Sequence, residues 1–133
     1  MNYTLKEIKA EELHFNLNLG INFTGKLDLK PTFERQVSEV TSNKLIKIIR
    51  LSVSIKSTAD APKPFDIKVT LGGVFELETE APNEAEKRKF VIEATDMMYT
   101  YIRTAVTNLT AQAYIPPINL PVLQDHIFPE DRN

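Results

Sequence analysis

The hydrophobic repeat of this chain changes period once, at Pro82, and this change constrains the fold more than any other feature. Before Pro82, apolar residues recur at every second position, which is typical of strands with one face turned to water. After Pro82 they recur at intervals of three and four, which is typical of an amphipathic helix. Several strands followed by one helix predict an α+β domain, with an antiparallel β-sheet of about four strands and one long C-terminal helix packed on one face.

The predicted strands occupy about residues 3–78. The clearest alternation covers residues 13–23, where the apolar positions are Leu13, Phe15, Leu17, Leu19, Ile21 and Phe23. Upstream of it the register changes between Lys9 and Glu12, where we expect a β-bulge. A second long strand is predicted over residues 44–57. Residues 25–43 favour a shorter strand followed by a connection, because Pro31 argues against an uninterrupted central strand.

A further strand is predicted over residues 65–77, after a turn rich in proline at residues 59–64. Gly72 and Gly73 interrupt its alternation. No Walker lysine or G-x-G-x-x-G spacing accompanies this pair, so we interpret it as a bend or a close backbone approach rather than a phosphate-binding loop.

The helix is predicted to run over about residues 84–112. Asn83 is a favourable N-cap, and Glu86 stands where a capping box places its acidic partner. Two neighbouring apolar stripes make a face wider than a helix resting on its own sheet generally needs, which predicts self-association. The predicted interface residues are Met98, Ile102, Val106 and Leu109. A helix sunk deeply into a curved sheet is the alternative.

The segment AYIPPINLPVL, residues 113–123, combines three prolines with mostly apolar side chains. Chain that cannot form a regular helix is usually polar and exposed, so this stretch should pack against something. We therefore expect an ordered, proline-rich apolar tail over residues 113–133. With 133 residues, the chain is most simply one domain, residues 1–133.

The composition excludes several classes of function. A net charge of −2 removes the electrostatic case for general nucleic-acid or anionic-membrane binding. The absence of cysteine excludes disulfides, thiolate metal sites and cysteine nucleophiles, and fits a reducing compartment. No apolar stretch is long enough for a signal sequence or a membrane span. We expect a cytoplasmic protein without membrane insertion.

Five stretches of the chain, in the right order, resemble the SecB family of cytoplasmic chaperones, which keep unfolded polypeptides from folding or aggregating. They are YTLKEIKAEELHF (3–15), KLDL (26–29), NKLIKIIRLSVSI (43–55), FDIKVTLGGVFEL (65–77), and YIRTAVTNLT followed by IPPINLPV (101–110 and 115–122). The most specific elements are Gly-Gly-Val-Phe and the proline-containing connection after the helix.

The resemblance implies a SecB-like holdase that binds unfolded or non-native polypeptides in hydrophobic grooves, with protein export as the family's setting. It also implies a homotetramer built as a dimer of dimers, with long helices between eight-stranded sheets. The residues that it assigns to substrate binding are Phe65, Ile67, Val69, Leu71, Ile118, Leu120 and Val122. A core role for the first four is the alternative.

Departures from the family pattern bear on partners. In exporting members the sheet surface docks the tail of the SecA motor. Here Glu12 matches one acidic position, whereas Asn16, Asp66 and Lys68 replace the other features, so we expect SecA docking by the usual mode to be weak. The C-terminal QDHIFPEDRN is too short for the family's second helix. Some relatives guard one toxin–antitoxin client, so a dedicated SecB-like chaperone remains a second hypothesis.

An enzyme would need convergent titratable groups, but the chain has two histidines, His14 and His126, with no nucleophile motif or metal-ligand spacing around them. We predict no enzymatic activity, no metal and no cofactor. A small-ligand or peptide-binding module without chaperone activity is the remaining alternative, since a sheet crossed by a helix can hold a pocket.

Overall fold

The computed structural model describes residues 1–21 and 27–132. Within those residues it contains the strands β1 (Tyr3–Leu17), β2 (Thr32–Val40), β3 (Asn43–Ile55) and β4 (Phe65–Leu77), the helix α1 (Glu84–Gln112) and a 3-10 turn at Pro129–Asp131. The strands form one antiparallel sheet in the order β1-β4-β3-β2. Helix α1 packs mainly on β3 and β4. The predicted fold class is confirmed.

The core lies between α1 and one face of the sheet, because alternation in β3 and β4 brings apolar side chains to the same side. From the strands it includes Ile49, Leu51, Val53, Ile55, Phe65, Ile67, Val69, Leu71, Phe75 and Leu77, each at most 5% exposed. The helix contributes Phe90, Ala94, Met98, Ile102 and Val106. Burial of each large side chain stabilises the fold by about 1.5–3 kcal/mol relative to an exposed position.

Strand β1 differs from its prediction at the C-terminal end. The predicted bulge is confirmed between Ala10 and Glu12. The strand ends at Leu17, whose partner is the first residue of β4, and Leu19 is 87% exposed. The predicted continuation of the strand is therefore wrong for residues 18–21. The last two predicted positions, residues 22 and 23, lie outside the described residues. Alternation reports which face a residue would occupy, but not where the neighbouring strand stops.

The glycine pair marks a close approach, as predicted. A Cβ atom on Gly73 would lie 2.9 Å from Sδ of Met98, and one on Gly72 would lie 2.7 Å from Oε2 of Glu11. Real Cβ atoms do not tolerate such contacts without displacement of the neighbour. The missing side chain of Gly73 thus lets α1 approach the sheet closely.

The start and end of α1 follow local chemistry. Asn83 has an extended backbone, and its Oδ1 accepts a hydrogen bond of 2.9 Å from the Glu86 backbone N–H, which confirms the predicted N-cap. At the other end, the backbone N–H of Ala113 donates to the carbonyl oxygen of Leu109, and Tyr114 adopts a φ of 60°. This left-handed residue ends the helix and turns the chain back along it.

Candidate functional site

Residues 113–132, which we call the strap, run back along α1 in the opposite direction. Because proline lacks an N–H, the strap cannot pair as a regular strand, and helix side chains satisfy its carbonyl oxygens instead. The donors are Thr107 Oγ1 to Ile118 O (2.9 Å), Arg103 Nε to Leu120 O (3.0 Å) and the Tyr99 hydroxyl to Pro121 O (2.7 Å). The apolar tail therefore packs on the helix, and Leu120 enters the core at 1% exposure.

The far end of the strap is held by a buried ion pair. Arg35 of β2 donates to both carboxylate oxygens of Asp131, at 2.6 and 3.2 Å, and to Oγ1 of Thr95. Its guanidinium carbon also lies 4.6 Å from the centre of the Phe128 ring. The side chains of Arg35 and Asp131 are only 15% and 5% exposed. This cluster joins the sheet, the helix and the strap.

Two adjoining cavities follow the seam between α1 and the strap, and we call them together the strap groove. The first has a volume of about 380 Å³ and is lined by Tyr99, Val122, Leu123 and Ile127 among others. The second, of about 230 Å³, continues from Thr100 and Arg103. Val122 is 75% exposed and Leu123 is 37% exposed. From Asp96 to Asn108 the helix rises about 18 Å, which matches about five residues of extended chain.

A second apolar surface lies on the opposite flank of α1, and we call it the β1–α1 patch. Leu13 and Leu17 pair with inward-facing residues of β4, so their side chains share the sheet face that carries the helix. Beside the helix, Met97 and Tyr101 are 37% and 43% exposed, whereas Leu13 and Leu17 are 55% and 40% exposed. No element in the described part of the chain covers these four side chains.

A third cavity, of about 320 Å³, opens where α1 begins. On its wall, Nζ of Lys47 and Nζ of Lys87 lie 2.8 and 3.2 Å from the same oxygen, Oε1 of Glu39. Hydrogen bonds from the two ammonium groups lower the pKa of the Glu39 carboxyl below its usual value, with Lys47 the larger cause. The sequence reasoning missed this cluster, because it did not predict the register that places Glu39 opposite Lys47 in the β2–β3 pair.

The structure places the predicted interface residues differently from the prediction. Met98, Ile102 and Val106 are completely buried against the protomer's own sheet, and only Leu109 is partly accessible. The surplus apolar face is instead the neighbouring stripe with Met97 and Tyr101. Periodicity identified two stripes, but it could not decide which of them faces the sheet.

The predicted substrate-binding residues also separate into two groups. Phe65, Ile67, Val69, Leu71 and Leu120 are core residues, at most 5% exposed, and cannot contact a client unless the helix or the strap moves away. Ile118 is partly buried. Val122 is the one of the seven that is largely exposed, and it lines the strap groove. Val122 thus shares the strap groove with Leu123 and Ile127, which the prediction did not include, and client binding there stays a prediction.

Comparison with known families identifies the group to which this architecture belongs. The family model of SecB, the preprotein translocase subunit, matches residues 22–130. The chain belongs to the SecB family. Proteins named protein-export protein SecB from two strains of Anaplasma marginale, Florida and St. Maries, are each 28% identical over 112 residues. That alignment covers 80% of this chain but only 59% of the length of those relatives.

Similarity to solved structures agrees with this SecB fold. A SecB-like chaperone of Mycobacterium tuberculosis, solved in complex with a ChAD peptide from the HigA1 antitoxin, superposes with a TM-score of 0.69 at 18% identity. The match covers 92% of this chain and 88% of that one. A Streptococcus agalactiae protein of unknown function gives a TM-score of 0.55 at 15% identity. An uncharacterised protein of Methanocaldococcus jannaschii is 28% identical over 120 residues, which are 90% of this chain and 69% of that relative.

The outer face of this SecB-family sheet, opposite α1, carries paired charges. Lys68 Nζ lies 3.5 Å from Oε1 of Glu12, and Arg50 Nε donates to both oxygens of Glu11 at 2.9 and 3.0 Å. The acidic position that resembles the SecA-docking pattern is therefore partly neutralised by its own neighbour. The weakness of SecA docking stays a prediction.

Two further properties of the described residues concern chemistry and membranes. Within residues 1–21 and 27–132, no three His, Asp or Glu side chains come close enough together to hold a metal ion. In the same part of the chain, α1 lacks the continuous apolar length that a membrane-crossing helix requires.

Proposed function

We propose that this SecB-family protein is a chaperone that holds short extended stretches of non-native polypeptide in the strap groove. The observation that carries the proposal is the exposure of Val122 and Leu123 beside a wall whose backbone is tied to α1. Apolar groups on a pre-ordered backbone bind client side chains at a low entropic cost. The Mycobacterium tuberculosis relative, solved with a peptide, supports a polypeptide as the occupant.

The proposal includes no catalytic step and no cofactor. The strap groove offers an apolar surface, and Arg103, which uses only its Nε to hold Leu120 O, has further guanidinium N–H groups that suit the carbonyl oxygens of an extended chain. The proposal also includes export of the client, action in the cytoplasm, and a single domain of residues 1–133.

The proposed assembly is a dimer of dimers, in which a second copy of the chain packs on the β1–α1 patch. Four partly exposed apolar side chains, Leu13, Leu17, Met97 and Tyr101, lie on a flank that the strap does not reach. Burial of such a flank between copies would also leave the strap groove, on the other side of α1, open to clients.

Dilution of a chemically denatured client, followed by light scattering, tests the chaperone proposal. We expect Val122→Asp to weaken client binding about tenfold, since a client loses the burial of one branched apolar side chain, worth about 1.5 kcal/mol. Tyr114→Asp is the matched control, because Tyr114 lies on the same strap, is 98% exposed and does not line the groove. Failure of the unaltered protein to suppress aggregation would refute the proposal.

A dedicated chaperone of one client is the second candidate function, favoured by the antitoxin peptide in the M. tuberculosis structure. A dedicated protein would bind one partner at least about 100-fold more tightly than denatured clients in general, which corresponds to about 2.7 kcal/mol. Competition between that partner and a denatured client distinguishes the two. A monomer that binds a defined small molecule and no client would instead favour the ligand-binding alternative.

A further inference from the structure

The cavity at the start of α1 is separate from the strap groove and shares no lining residue with it. It lies between the β2–β3 hairpin, the link from β4 to α1, and the first two turns of the helix. Its apolar floor is formed by Val37, Leu77, Phe90 and Val91. Val37 is 39% exposed although it is on the sheet face that carries the helix, because neither α1 nor the strap covers it.

Three lysines give this cavity a basic side. Lys47, with a side chain only 11% exposed, and Lys87 share one oxygen of Glu39. Each ammonium group carries three hydrogen-bond donors, so neither is saturated by that single oxygen. Lys44 also lines the cavity and has no ion pair within the described residues.

The opposite rim is acidic. Glu80 and Glu84 line it, and neither forms an ion pair in the part of the chain that the structure describes. The lining charges are therefore unevenly distributed: Lys44 and Lys47 of β3 and Lys87 of α1 surround the single carboxylate of Glu39, whereas Glu80 and Glu84 stand together where the link meets the helix. A negatively charged group that enters would be attracted to the three ammonium groups and repelled by Glu80 and Glu84.

The volume limits the size of an occupant. Pockets for whole small molecules extend from about 300 to 1,000 Å³, and this cavity of about 320 Å³ is at the lower bound. One large apolar side chain with its adjoining backbone fills such a space. A carboxylate next to that side chain would reach the unsaturated ammonium groups, and hydrogen bonds between ionised groups are stronger than neutral ones.

We propose that this cavity is an anchor site for client polypeptide, which takes one large apolar side chain on the Val37–Phe90 floor and an adjacent carboxylate at Lys44, Lys47 and Lys87. The inference rests on the proposed chaperone function and names the client chemistry that this second site selects. The carboxylate comes either from an aspartate or glutamate beside the apolar residue, or from the free end of a chain.

Fluorescence anisotropy with labelled peptides tests the inference. The first pair are Gly-Ser dodecapeptides with a central Leu-Phe-Asp or Leu-Phe-Asn, which differ in charge but hardly in shape. The second pair end in Leu-Phe with a free carboxylate or an amide. Comparison of the two pairs shows whether the site binds a side-chain carboxylate or the free end of a chain. We expect the unaltered protein to bind at least one charged peptide about fivefold more tightly than its neutral counterpart, and added salt to reduce the difference.

The variant Lys44→Gln/Lys87→Gln should abolish that preference. Lys56→Gln, at the exposed residue that follows β3, removes one positive charge away from the cavity and should keep the preference, which makes it the control for single substitutions. Lys44→Gln alone, at an exposed position that forms no ion pair within the described residues, should reduce the preference and leave the fold intact. Equal binding of charged and neutral peptides, binding of neither kind, or a preference that survives the double substitution would overturn the anchor site. Suppression of aggregation measured in parallel is independent of these outcomes, and its absence would overturn the chaperone proposal itself.

Discussion

Removal of the carboxylate of Asp131 should destabilise the whole protomer, because the ion pair with Arg35 holds the end of the strap against the sheet. Loss of one partner from a buried pair costs about 3–5 kcal/mol. Here Arg35 keeps its hydrogen bond to Thr95 and its contact with Phe128, and the terminal turn can admit water. We therefore expect Asp131→Ala to lower the free energy of unfolding by about 2–3 kcal/mol.

A double-mutant cycle separates the pair from its surroundings. Arg35→Met alone should also cost about 2–3 kcal/mol, since it leaves the 5%-exposed carboxylate unpaired. The double variant Arg35→Met/Asp131→Ala should lose less than the sum of the single losses, with a coupling energy of about 2 kcal/mol. Asp60→Ala, at an exposed turn position, is the control and should change stability by less than about 0.5 kcal/mol.

Urea titration followed by far-ultraviolet circular dichroism measures these energies, because the chain contains no tryptophan to report by fluorescence. Protein concentration must be constant, since self-association adds to the apparent stability. A coupling energy below about 0.5 kcal/mol would show that the Arg35–Asp131 ion pair does not hold the end of the strap against the sheet.

Two further predictions concern the β1–α1 patch and the dependence of stability on pH at acidic pH. Tyr101→Asp should reduce the oligomeric mass measured by light scattering but leave a folded protomer. Ile102→Asp, one residue further, should unfold the chain because it places an unpaired charge in the core. Identical behaviour of the two variants would contradict the assignment of Tyr101 to the exposed face and of Ile102 to the buried face of α1. The folded-state pKa of Glu39 lies below its usual 4.5, so its contribution to stability is present above about pH 4.5 and is lost as the pH falls through the folded pKa. Glu39→Gln should flatten that part of the curve of stability against pH, and an unchanged curve would disprove the contribution of the two lysine contacts.

Local features of the sequence were sufficient for the elements themselves. Alternation with period 2 indicated the strands, and the bulge between Ala10 and Glu12 followed from a shift in that alternation. The N-cap at Asn83 followed from the hydrogen-bonding capacity of one side chain. The glycine pair indicated a close approach to the backbone of β4, because glycine inside a strand often marks such a contact. Each of these signals can be recognised from residues that are close together in the sequence.

The tertiary structure alone decided which surfaces remain accessible. Periodicity defined two stripes on α1, but only packing showed that Ile102 faces the sheet and Tyr101 does not. It likewise brought Arg35 to Asp131, and Glu39 to Lys87, across separations in sequence that no local pattern reports. The physical reason is that periodicity and capping are properties of a single element, whereas exposure and ion pairing depend on how close different elements approach in space.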